Sequence, residues 1–138
     1  MPGSIVEDAV LAAILKGADT LGKLRRVVNV EEAVLRRVLD NLVTRGYVKA
    51  ERRGLLFKRD AYAVTAEGAR AAEAAIRRLE AASREVRRRV ERGEGLPSDY
   101  VAILPLLVWT GLLDIALLSL LDFALHGMHD YWLVVGDL

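Results

Sequence analysis

Ten cationic or amide side chains in the first 59 residues are candidates to bind phosphate and the edges of nucleobases. Arg36, Arg37 and Asn41 lie close together on the side of a predicted helix that faces away from its apolar stripe. Arginine pairs with guanine edges and asparagine with adenine edges, and any exposed cation can contact phosphate. The predicted binding residues are Arg25, Arg26, Arg36, Arg37, Asn41, Lys49, Arg52, Arg53, Lys58 and Arg59.

Catalytic and metal chemistry have few residues to use. The chain has no cysteine and two histidines, and it lacks a glycine-rich phosphate loop, a nucleophile elbow and a zinc-protease helix. We therefore expect no enzyme, no cofactor and no metal. The one arrangement that could hold an ion is Asp122, His126, His129 and Asp130. A helix C-terminus that stops at Gly127 explains the same histidines, because a cation there suits the helix dipole.

Helical patterns must position the cations in the first part of the chain. Ser4 is a predicted N-cap, Asp19 or Thr20 opens a second helix, and Asn29 caps a third over residues 30–45. The pattern then changes to that of a hairpin, with strands at residues 47–52 and 55–64 around a turn at 53–54.

The second predicted strand runs through Phe57, and Thr65 then caps a long helix. Three helices, a hairpin and a helix predict a mainly α chain with a small β-hairpin (α+β), in the order of a winged helix-turn-helix.

A resemblance to a known family rests on two stretches. The leucine spacing of residues 35–48 and the sequence Tyr62-Ala63-Val64-Thr65-Ala66-Glu67-Gly68 after a basic hairpin resemble winged helix-turn-helix transcription regulators of the MarR and PadR kind, especially archaeal ones. The resemblance covers about residues 4–90. It implies double-stranded DNA as the partner, with the third helix in the major groove and the hairpin wing along the backbone or minor groove.

Two glutamates favour a different reading. Glu31 and Glu32 stand at the N-terminus of the proposed reading helix, where they suit the helix dipole but repel phosphate. The alternative is a winged-helix module that binds a protein partner and no DNA.

The long helix carries an apolar seam with alternating steps of three and four residues, which is typical of a coiled coil. The resemblance implies a homodimer at this helix, and the alternative is that it packs on its own domain. The predicted dimerisation residues are Ala72, Ile76, Leu79, Val86 and Val90. A Gly/Pro cluster after the helix predicts three parts: the winged domain at 1–68, the connecting helix and linker at 69–95, and a hydrophobic segment at 96–138.

The hydrophobic segment has two interpretations. Residues 96–138 contain no Lys or Arg and five Asp, and residues 101–125 are long and apolar enough for a transmembrane helix. Asp114 argues against a span, because a carboxylate in the bilayer is costly. The alternative is two hydrophobic helices, broken at Thr110-Gly111, that form a soluble dimer core.

Together these patterns predict a dimeric DNA-binding transcriptional regulator with no evident small-molecule substrate. Its DNA-binding domain would be cytoplasmic, and it would be held at the cell membrane if the C-terminal segment spans it.

Overall fold

The computed structural model of the chain describes residues 4–57 and 59–117, and these are mainly helical with one two-stranded antiparallel sheet. The elements are α1 (Ile5–Leu15), α2 (Leu21–Val27), α3 (Glu32–Thr44), β1 (Val48–Arg53), β2 (Arg59–Val64), α4 (Ala66–Glu91) and α5 (Ser98–Trp109).

Local capping sets the helix starts. The side chains of Ser4, Thr20 and Thr65 each accept a hydrogen bond from the backbone N–H three residues on, which confirms all three predicted caps. The start of α3 differs from the prediction, because its N-cap is Glu31 rather than Asn29. The backbone N–H of Asn29 instead donates to a carbonyl of α5 at 2.8 Å, so tertiary contact moves this boundary.

The hairpin is shorter than predicted. Its register pairs Val48 with Val64 and Arg53 with Arg59, so β2 begins at Arg59 and not at residue 55. Phe57, which we expected inside the second strand, therefore lies in the loop and is 88% exposed. The backbone N–H of Tyr62 donates to the carbonyl of Asp19 at 2.8 Å and fixes β2 against the α1–α2 connection.

The core forms around α1, which is buried on nearly all sides. Its apolar residues pack with α4 on one side and with α5, α2 and α3 on the others. A helix that is apolar all round needs such a fully enclosed position. Consequently α1 holds together the short helices that carry the basic residues and the long helix that follows the hairpin.

The apolar seam of α4 lies in this core. Ala72, Leu79, Val86 and Val90 are at most 3% exposed in the single chain, and Ile76 is half-buried. They pack within the chain, where α4 contacts α1 and α5. These contacts favour the alternative that the helix packs on its own domain.

The apolar segment after the linker also begins inside the core. In α5 the side chains of Ile103, Leu104, Leu106 and Leu107 are fully buried. The helix ends at Trp109, and the turn that follows has Gly111 at φ +82°. Across residues 4–57 and 59–117, each helix is either too short or too polar to cross a membrane.

Candidate nucleic-acid interface

The outer face of α3 carries the residues predicted to reach bases. Leu35, Leu39 and Leu42 turn inward and are at most 2% exposed. Arg36 and Arg37, one and two positions after Leu35, are therefore exposed, and Asn41 is exposed one turn further on. The helical period thus brings the predicted guanidinium and amide groups onto one solvent-facing side.

A carboxylate at the start of α3 binds two of the predicted cations. Glu32 accepts a hydrogen bond from Arg25 of α2 at 3.3 Å and another from Arg36 at 3.3 Å. The side chains of both arginines are 55% exposed and that of Glu32 is 46% exposed. Such exposed ion pairs contribute little to stability. They hold the guanidinium groups in place, but a phosphate must compete with Glu32 for them.

Four other predicted cations are exposed and have no ion-pair partner among the residues that the structure describes. Two of these cations lie on the helices and two on the strands, and they are Arg26, Arg37, Lys49 and Arg59. An anionic ligand could bind these side chains without displacing a carboxylate of the chain. They are therefore better candidates for phosphate contacts than the paired arginines.

The remaining hairpin arginines have structural partners. Arg53 donates to Asp19 at 2.6 Å and to Glu51 at 2.9 Å. Its hydrogen bond to Asp19 raises the pKa of Arg53. Burial pushes the pKa of Asp19 upward, but the hydrogen bond from Arg53 and the nearby Lys23 outweigh it, so the pKa of Asp19 is lowered overall. This pair fastens the hairpin to the helical body.

The end of the hairpin places like charges opposite each other. Arg53 faces Arg59 across the two strands. Facing like charges destabilise a sheet. Asp19 and Glu51 compensate the charge of Arg53 only, so an anion beside Arg59 would relieve the repulsion that remains. The neighbouring pair of Arg52 and Asp60 lies at 3.9 Å between exposed side chains and contributes little.

Tyr62 connects the hairpin to α3. Its burial raises the pKa of the phenol, and Asp60 and Asp40 act in the same direction while the charge of Arg36 opposes them. A residue of β2 thus lies within electrostatic reach of the outward face of α3.

A second polar site was not predicted from the sequence. A cavity of about 260 Å³ lies between α1, α3 and α4, and two buried carboxylates of α1 line it. Asp8 accepts two hydrogen bonds from Arg78, at 2.8 and 2.9 Å, and this interaction raises the pKa of Arg78. Glu7 has Arg45 at 3.5 Å, but its Oε1 accepts no hydrogen bond. The signal that could have revealed this site is a pair of charges in an otherwise apolar helix.

The other predicted site residues lie outside the described ranges. They are Lys58 and the metal-site residues Asp122, His126, His129 and Asp130. In residues 4–57 and 59–117 there is no group of three His, Asp or Glu side chains placed to hold a metal ion.

The chain was compared with protein-family models, with curated proteins and with solved structures, and no match was found in any of the three comparisons.

Proposed function

We propose that this chain is a winged-helix DNA-binding protein that regulates transcription as a dimer. In this proposal α3 enters the major groove and the hairpin is the wing that follows the phosphate backbone. The observation that carries the proposal is that Arg26, Arg37, Lys49 and Arg59, which lie on α2, α3 and the two strands of the hairpin, are exposed without a carboxylate partner in the described part of the chain.

The division between paired and unpaired cations supports distinct roles. Arg37 and Asn41 are free to approach base edges. Arg59 and Lys49 would bind phosphate, and Arg59 would gain most because Arg53 stands opposite it. Arg53 itself would act mainly by fixing the wing to Asp19.

The partners of these arginines decide which substitutions test the proposal. Replacing Arg53 would release the hairpin from Asp19, so a loss of binding would not show a phosphate contact. We therefore choose the triple substitution Arg37→Ala, Lys49→Ala and Arg59→Ala, which breaks no ion pair of the described structure. A matched control removes Arg77, Arg84 and Arg87, which are exposed on α4.

The measurement is fluorescence anisotropy with an unspecific DNA duplex over a series of salt concentrations. Each lost phosphate contact lowers the slope of log K against log salt by about 0.9. We expect the slope of the triple variant to fall by about 2 to 3, while the α4 control keeps the wild-type slope. Equal slopes for the two variants would show that Arg37, Lys49 and Arg59 do not bind phosphate.

A second candidate function is a protein-docking winged helix without a DNA role. The observation that favours it is Glu32, which neutralises Arg25 and Arg36 at the N-terminus of the proposed reading helix. A wild-type chain that binds no duplex even at low salt would favour this function. Substituting Glu31→Gln and Glu32→Gln provides a further test, because a DNA-binding surface should bind duplex more tightly without these charges.

The dimer in this proposal requires a surface other than the seam of α4. A second copy cannot use Ala72, Leu79, Val86 and Val90 while they form the core of the single chain. The mass of the protein in solution, measured by light scattering, tests the dimer directly. A monomer at the concentration that binds DNA would contradict it.

A further inference from the structure

Three large apolar side chains stand together at the end of the hairpin. Leu55 is 100% exposed, Leu56 is 89% exposed and Phe57 is 88% exposed. We call these three residues the hairpin tip. Scattered apolar residues on a surface are ordinary, but a contiguous group marks a binding surface or an aggregation hazard.

The residues around the hairpin tip are all cationic or neutral. Between positions 52 and 59 the sequence has Arg52, Arg53, Lys58 and Arg59 and no carboxylate. The first acidic residues on either side are Glu51, which pairs with Arg53, and Asp60, which lies 3.9 Å from Arg52. Arg59 has no such partner among the described residues and is the cation best placed to meet an anionic surface. Apolar side chains flanked by cationic side chains complement a partner that has an apolar interior and an anionic surface.

We propose that the hairpin tip inserts into the interface of an anionic lipid bilayer. Apolar groups of peripheral proteins enter about 5–10 Å into the boundary between headgroups and acyl chains. Arg59 follows Phe57 by two residues, so its long side chain can reach the lipid phosphates while the tip enters this boundary.

A bilayer fits this surface better than a DNA groove does. The floor of a groove presents hydrogen-bonding groups, and the tip offers it no polar side chain. Wedge residues that enter a base step must also unstack it, which costs a few kcal/mol per step. The bilayer interface accepts all three side chains at once, and each cation near an anionic membrane adds to the attraction.

This inference goes beyond the proposed DNA function and does not depend on it. Because the same hairpin carries Lys49 and Arg59, a hairpin held at a membrane would be unavailable to DNA. Membrane and duplex would then compete for one protein molecule.

The first test uses a fluorescent reporter at the tip of the full-length chain. The chain has no cysteine, so Leu56→Cys labelled with an environment-sensitive dye reports on this position alone. Glu73→Cys, exposed on α4, carries the control label. On vesicles of phosphatidylcholine with phosphatidylglycerol we expect a blue shift at position 56 and none at position 73. Phosphatidylcholine vesicles should give little shift at either position.

The second test measures co-sedimentation with the same anionic vesicles. The variant with Leu55→Ser, Leu56→Ser and Phe57→Ser is expected to partition at least about a hundredfold more weakly than the wild type, because three apolar side chains no longer leave water. A control with Leu15→Ser and Val43→Ser removes exposed apolar side chains elsewhere and should partition like the wild type. Thermal melting of each variant verifies that it is folded.

Three results would overturn the proposal. One is an unshifted label at position 56 on anionic vesicles. Another is a label that is already blue-shifted without vesicles, which would show that the chain or a second copy covers the tip. The third is a tip variant that keeps its vesicle binding but loses duplex binding, which would make the tip a DNA wedge. Failure of the DNA function alone would appear only in the duplex measurement.

Discussion

Gly68 allows the start of α4 to approach the chain segment between α3 and β1. A Cβ atom built on Gly68 would lie 1.9 Å from the carbonyl oxygen of Tyr47 and 2.9 Å from Cγ1 of Val64. The same carbonyl of Tyr47 accepts a hydrogen bond from the backbone N–H of Thr65 at 3.0 Å. In addition, the hydroxyl of Thr65 donates to the carbonyl of Gly46 at 2.6 Å. We therefore expect Gly68→Ala to destabilise the fold at the junction that orients the hairpin.

The structure sets the size of this effect. The new methyl group must move about 1.5 Å from the carbonyl oxygen of Tyr47 to reach the 3.4 Å of ordinary contact. Displacing this backbone atom costs more than displacing the end of a flexible side chain. Overpacking costs about 1–3 kcal/mol, and losing the Thr65 hydrogen bond adds about 0.5–1.5 kcal/mol. Alanine restores about 0.5–1 kcal/mol through its better helix propensity. The free energy of unfolding should therefore fall by about 0.5 to 4 kcal/mol, with a central value of about 2 kcal/mol.

Urea unfolding followed by circular dichroism measures this change. Gly22→Ala is the matched control, because Gly22 lies in α2 with nothing within 4 Å of an added Cβ. That substitution should raise the stability by about 0.4–1 kcal/mol, since it restricts the unfolded chain. If Gly68→Ala were as stable as Gly22→Ala, the close packing of α4 on Tyr47 would be wrong.

Two further predictions concern ion pairs. Arg78→Ala should lower the free energy of unfolding by about 1–3 kcal/mol, because it leaves the buried carboxylate of Asp8 without its two hydrogen bonds. The control is Arg77→Ala on the exposed side of α4, which should change the urea midpoint little. An equal shift for the two variants would contradict the role of Asp8. Asp19 has a pKa below its ordinary 3.8, so its pair with Arg53 stabilises the fold above that pH and loses this contribution as the pH falls through the lowered value. Asp19→Asn should thus reduce the stability at pH 6 by less than about 1 kcal/mol, because the pair is partly exposed, and the difference from wild type should shrink in urea titrations as the pH falls below 3.8. A difference that stayed constant over this range would show that Asp19 does not act through its charge.

The starts of these helices could be predicted from the sequence because capping hydrogen bonds are local. A hydroxyl at Ser4, Thr20 or Thr65 satisfies an N–H only three residues away, so no distant part of the chain decides the outcome. The outward face of α3 was equally readable, because the helical period that buries Leu39 also exposes Arg36 and Arg37.

Charge pairing depended on contacts that the sequence pattern does not encode. The residue types predicted ten binding side chains without distinguishing among them. The fold places Glu32 between Arg25 and Arg36 and brings Asp19 to Arg53, 34 residues away. Pairing over such separations follows from the way the hairpin docks on the helical body.

The tertiary structure also determined which parts of the chain cover the apolar faces of α4 and α5. The sequence alone determined that α4 has one apolar side and that α5 is apolar from Val101 onward, because periodicity and composition are properties of the chain. It did not determine what would cover them. The fold packs Leu79 and Ile103 in one core around α1 and leaves Leu55, Leu56 and Phe57 uncovered by the described residues. The physical reason is that the hydrophobic effect is non-directional: it requires apolar surface to leave water, and only the spatial arrangement of the chain selects the partner.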